Sequence, residues 1–169
     1  DGFVAAKYLS DTIEVLITAL KRESGPMRQA DFVSLGKLAL AVGHSVAKPA
    51  AVLHAIMIEI RDGLTRKRKN DDCMEQAPIC LENLTRAVKG SLEKAGTPIK
   101  TVLEEMFSAG LSETLVNTLA TMVRELRGKT RTMIIRRLVQ ELRNILHHSA
   151  SEKIGDPSQQ PRGVETFMG

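Results

Sequence analysis

The stretch Pro49-Ala50-Ala51-Val52-Leu53-His54-Ala55-Ile56-Met57-Ile58-Glu59-Ile60-Arg61-Asp62-Gly63-Leu64 decides the fold. Leu53, Ile56, Met57, Ile60 and Leu64 fall at i, i+3, i+4, i+7 and i+11, one apolar stripe at the helical period. A proline opens the segment, where an amide hydrogen is not needed. Working outward, the same pattern recurs. Before it lie Leu9, Ile13, Leu16, Ile17 and Leu20, predicting a helix over 7–21 that Gly25 ends. Pro26 then starts a second, with Phe32, Leu35, Leu38, Ala39 and Val42 on its stripe and Gly43 as its stop.

After Leu64 the pattern dissolves into Arg66-Lys67-Arg68-Lys69-Asn70-Asp71-Asp72, seven polar residues that predict an exposed loop. A fourth helix follows on Ile79, Leu81, Leu84 and Val88, ending near Gly90; Pro78 predicts a late start or a kink. Thr97 as N-cap and Pro98 in the first turn open a fifth, with Val102, Leu103, Met106 and Phe107 inward and Gly110 at its end. Ser112 caps a sixth on Leu115, Leu119, Met122, Val123 and Leu126, stopped by Gly128. The seventh is predicted over 129–148, with Ile134, Leu138, Leu142 and Ile145 inward. From Ser149 on there is too little apolar surface to offset the ordering of the backbone, so 149–169 is expected to be a disordered tail or linker and 1–148 the folded segment.

Helices separated by a few residues run antiparallel to their neighbours. Two spacings recur between them: Leu35 to Leu81 is 46 residues and Pro49 to Pro98 is 49. A repeat near 40–47 residues built of helix pairs is the mark of HEAT and armadillo arrays. The expected fold is therefore all-α, about seven helices in a right-handed α-solenoid of antiparallel pairs. Composition agrees: hydrophobic residues make up 43% and aromatics 3%, so the core has to be aliphatic, as interdigitating helix ridges favour.

Several function classes find no support. The net charge of +4 is spread along the chain and lacks the stacking aromatics of a nucleic-acid surface. No run approaches a membrane span, and no secretory leader opens the chain. Cys73 and Cys80 fit neither a disulfide framework nor zinc spacing, and read as thiols of a reducing compartment. His147 and His148 are adjacent, so on a helix they point ~100° apart and do not converge on a metal. His44 and His54 have no ligand cluster beside them. Glu104 and Glu105 read as a solvated face with Lys100. No Gly-rich phosphate loop is present. The expectation is no catalytic residue, no cofactor and no metal. The candidate binding surface is basic: Arg66, Lys67, Arg68 and Lys69 in the loop, and Arg131, Arg136, Arg137 and Arg143 on the seventh helix.

The ordered stretches, Tyr8 to Leu20, Ala30 to Val42, Val52 to Ile60, the basic run ending in Lys67-Arg68-Lys69, and above all Ile99-Lys100 through Leu103-Glu104-Glu105-Met106-Phe107-Ser108-Ala109-Gly110-Leu111-Ser112-Glu113-Thr114-Leu115, resemble the N-terminal HEAT-repeat solenoid of the TOR kinases, large phosphatidylinositol-3-kinase-related Ser/Thr protein kinases. The resemblance spans roughly 8–148 and departs at Pro78 and after Ser149. It implies a cytoplasmic scaffold segment of a nutrient-signalling kinase whose kinase domain lies elsewhere, with a Raptor-like subunit and a second protomer as partners. It carries over no individual contact residue. A start at Asp1 rather than Met fits a piece of a longer chain, and such a piece is expected to self-associate through exposed end repeats. The alternative is a HEAT or armadillo segment of another assembly, a nuclear-transport or tubulin-binding scaffold.

Overall fold

The computed structural model describes residues 2–66, 71–94 and 98–153, with side chains from Ala6 to Glu152. Among them every regular element is helical: α1 (Gly2–Arg22), α2 (Pro26–Val42), α3 (Ala50–Leu64), α4 (Gln76–Val88), α5 (Ile99–Ser108), α6 (Glu113–Glu125) and α7 (Lys129–Lys153). The fold is all-α with seven helices. Two compact units divide the chain, Asp1–Arg131 and Thr132–Gly169, and the division falls inside α7.

The helix stops follow local chemistry. Gly25, with φ 61°, breaks the chain before Pro26 at the first position of α2. Gly43 (φ 60°) ends α2, and Gly110 (φ 87°) and Gly128 (φ 93°) lie in the breaks before α6 and α7. The Ser112 hydroxyl accepts a hydrogen bond from the Leu115 amide at 3.2 Å, capping α6. Boundaries differ from expectation in several places: α1 begins at Gly2 rather than at 7, and Pro98 is the N-cap of α5 rather than a first-turn residue, with Thr97 outside the described residues. Gln76 begins α4, so Pro78 is its third residue, where the missing amide is one of four without an intrahelical partner; there is neither a late start nor a need for a kink. The left-handed residue that ends α4 is Lys89 (φ 49°), not Gly90.

The first unit is built in two rows. α2 packs on α4 and α4 on α6; α1 packs on α3 and α3 on α5; α1 against α2 and α3 against α4 join the rows. The core is aliphatic apart from Phe32, with Leu20, Leu35, Ile60, Leu81, Leu103 and Met122 fully buried. The stripe of α3 is buried at all five expected positions. On α4 the buried line is Ala77, Cys80, Leu81, Leu84 and Val88. Ile79, expected inward, is exposed, because it precedes Leu81 by two residues and so sits about 200° around the helix from it.

Two glycines set the approach of helices. A β-carbon on Gly36 would lie 3.4 Å from the Cys80 Cα and 3.1 Å from Asn83 Nδ2, so α2 and α4 cross where α2 has no side chain. A β-carbon on Gly63 would lie 3.0 Å from the buried Phe32 ring and 3.1 Å from Ala77 Cβ. Helices α4 and α6 are also tied by side chains. The Thr118 hydroxyl lies 3.0 Å from the carbonyl oxygen of Pro78, and Thr121 donates to Glu82 Oε1 at 2.7 Å.

One local backbone geometry occurs twice along the chain. α2 ends on Gly43 (φ 60°, ψ −135°) and α4 on Lys89 (φ 49°, ψ −127°). Each is followed by a five-residue 3-10 turn, Gly43–Ala47 or Lys89–Glu93, that buries one apolar residue, Val46 or Leu92. Each turn closes on an extended lysine, Lys48 or Lys94, whose amide donates to Ser45 or Ser91. Every one of these pairs is 46 positions apart, like Leu35 and Leu81. The spacing becomes 49 only beyond Lys94, where three residues precede Pro98.

Candidate functional site

One polar cluster ties the first unit together at the end where α2, α4 and α6 begin. Arg28, in the first turn of α2, is wholly buried. Its Nη1 donates to Asp71 Oδ2. Its Nη2 donates to Glu59 Oε2 at 3.3 Å and approaches the Glu59 carbonyl at 3.4 Å. Its Nε donates to the Leu20 carbonyl at 3.0 Å. The guanidinium carbon lies 5.2 Å from the centre of the Phe32 ring, a cation–π distance. Asp71 Oδ1 in turn accepts from the Gly25 amide at 3.3 Å and lies 3.5 Å from Cys73 Sγ. A buried charge is stable only when paired and fully hydrogen-bonded, which is what the fork of Arg28 supplies to two carboxylates. The cluster joins α1, α2, α3 and the chain entering α4.

This corrects the reading of 66–72 as an exposed loop: Asp71 is 7% exposed. Lys67, Arg68, Lys69 and Asn70 lie outside the described residues. Arg66 is exposed, takes a positive φ of 51°, and lines a cleft of about 490 Å³ with Gln29, Asp72, Glu75, Gln76 and Ser112. Asp72 and Glu75 set two carboxylates against the one charge of Arg66 there, and Met74, Ala109 and Leu115 line the same cleft.

The remaining basic candidates lie on α7. Arg131 belongs to the first unit; Arg136, Arg137 and Arg143 belong to the second, and all four are exposed. Arg137 pairs with Glu141 at 3.3 Å. Helix α7 also departs from expectation in two ways. It continues through Ser149 to Lys153, so the start of the expected tail is helical, while residues 154–169 lie outside the described ones. Of its four expected inward residues, Ile134 is buried and Leu138 half-buried, but Leu142 and Ile145 are 56% and 52% exposed. In the second unit α7 is the one helix among the described residues, and a single helix cannot cover its own stripe.

Both thiols are buried, and burial pushes each up to about 12; Asp71 adds to the effect at Cys73. Neither is poised as a nucleophile. Asp31, on α2, is pushed up to about 6, by burial first and then by Glu23 beside it. Its Oδ2 is buried with no hydrogen-bond partner. Among the described residues no three His, Cys, Asp or Glu side chains are grouped to hold a metal, and none of the helices is long and apolar enough to cross a membrane. No family model, curated protein or solved structure matches the chain.

Sequence reasoning missed the Arg28 cluster. A signal existed: Glu59 lies between Met57 and Ile60 on an otherwise apolar stripe, and a charge there needs a buried partner.

Proposed function

We propose that this chain is a protein-interaction scaffold, a HEAT-type segment resembling the N-terminal solenoid of the TOR kinases. The observation that carries the reading is the recurrence, 46 positions apart, of one way of leaving a helix: left-handed stop, 3-10 turn and extended lysine, followed in both places by another helix. Units repeated in this way bury apolar faces only against their neighbours, and the helix surfaces left over form an extended face for partners. The ordered residues Ile99 to Leu115, which carry most of the resemblance, supply α5, the Gly110 stop and the capped start of α6.

On this reading the segment acts in the cytoplasm by holding a Raptor-like subunit and a second kinase protomer. The chemistry of the parent enzyme resides in a domain beyond this segment. The test is capture of a Raptor-like subunit by the immobilised chain, together with the gene's reading frame. Retention of that subunit and a kinase domain downstream support the proposal; no retention and no kinase domain remove it. The alternative, a nuclear-transport or tubulin-binding scaffold, draws on the exposed arginines of α7, which suit an acidic partner surface. Capture of tubulin or of an importin-type partner in place of the Raptor-like subunit favours it.

A further inference from the structure

Helix α7 carries more exposed apolar surface than the arginines alone would suggest. Ile135, Val139, Leu142 and Leu146 are 41%, 41%, 56% and 68% exposed. They are spaced by four, three and four residues, the a/d spacing of a helix–helix seam. With Val139 and Leu146 at a and Ile135 and Leu142 at d, both e positions are arginine, Arg136 and Arg143, and both g positions are aliphatic, Leu138 and Ile145.

We propose that this stripe of α7 is a docking surface for an acidic amphipathic helix of a partner protein. The proposal builds on the scaffold reading and adds to it the kind of partner. Charge decides the occupant. From Lys129 to Lys153 the helix holds six Lys or Arg and two acidic residues, Glu141, which is engaged by Arg137, and Glu152 in its last turn, six positions beyond Leu146. A second copy of α7 laid antiparallel would set Arg136 and Arg143 against each other across the seam; laid parallel, it would set Arg136 against Arg131 and Arg143 against Leu138. Neither register gives the arginines an acidic partner. A lipid surface is the poorer match because α7 has no aromatic residue to anchor at the headgroup level. A helix with aliphatic a/d residues and glutamates opposite Arg136 and Arg143 satisfies both the stripe and the charges.

The test uses the whole 169-residue chain and two fluorescent three-heptad peptides with Leu and Ile at a and d, one with Glu at every e and g position, one with Lys. The Glu peptide is expected to bind at least tenfold more tightly than the Lys peptide, and less tightly as salt rises. The double variant Arg136→Glu/Arg143→Glu is expected to reverse that preference. Leu142→Asp/Leu146→Asp is expected to abolish binding of both peptides with the helical circular dichroism unchanged. Equal binding of the two peptides, or binding of neither, overturns the proposal. So does sedimentation showing a dimer of the chain that Leu142→Asp/Leu146→Asp dissolves, or tighter binding to phosphatidylserine vesicles than to the Glu peptide. Continued capture of a Raptor-like subunit in any of those cases leaves the scaffold reading standing without this surface.

Discussion

At the residue scale, the side chain on which the first unit depends most is Arg28. It is wholly buried, touches three other segments and neutralises part of the charge of two carboxylates. Arg28→Leu keeps the volume roughly constant but leaves Asp71 and Glu59 buried without their cation. The expected loss is about 3–5 kcal/mol of unfolding free energy, read from the denaturant midpoint. Asp31 acts in the opposite sense. Its carboxyl is raised from 3.8 to about 6, so the folded chain holds that proton more tightly than the unfolded one. Stability from this group is therefore full below pH 4 and is lost as pH rises toward 6. Asp31→Asn removes that slope. The variant is expected to gain on the order of 1 kcal/mol at pH 7 and nothing at pH 4, measured by urea unfolding at both values.

At the element scale, the two helix–turn units differ at the residue that must adopt a left-handed conformation. The first places Gly43 there, the second Lys89. A left-handed residue with a β-carbon costs about 1–2 kcal/mol relative to glycine. Lys89→Gly is therefore expected to raise the thermal midpoint, with a gain of about 1 kcal/mol, while Gly43→Ala lowers it by a similar amount. The sequence made most of this scale legible, since helices three and six could be read from stripe, proline and cap alone. What it hid has physical causes. Gly90 looks like the stop of α4 because glycine is the usual left-handed residue, yet the backbone turns one position earlier, in register with Gly43. Asp71 looks solvated because it lies in a polar run, and the distant partners that draw it inward, Arg28 and the Gly25 amide, leave no local mark. The exposed stripe of α7 went unread because that helix is apolar along two adjacent lines, and periodicity alone does not say which line is covered. The basic candidates were legible as charges, but their distribution over two units and their apolar setting were not.

At the scale of the molecule, alternate helices of the first unit lie in rows, with α4 between α2 and α6. Gly36 and Gly90 separate that arrangement from any in which α2 and α4 do not touch. Gly36 faces the backbone of Cys80 with no room to spare, whereas a side chain at Gly90 would meet nothing within 4 Å. The decisive measurement is the unfolding free energy of Gly36→Leu beside that of Gly90→Ala, with amide exchange followed in α2 and α4. The rows predict a loss of about 3 kcal/mol or more for Gly36→Leu, with protection falling in both helices, and almost no change for Gly90→Ala. A Gly36→Leu chain as stable as the parent, with α2 and α4 equally protected, would contradict the stacking from which the scaffold is argued.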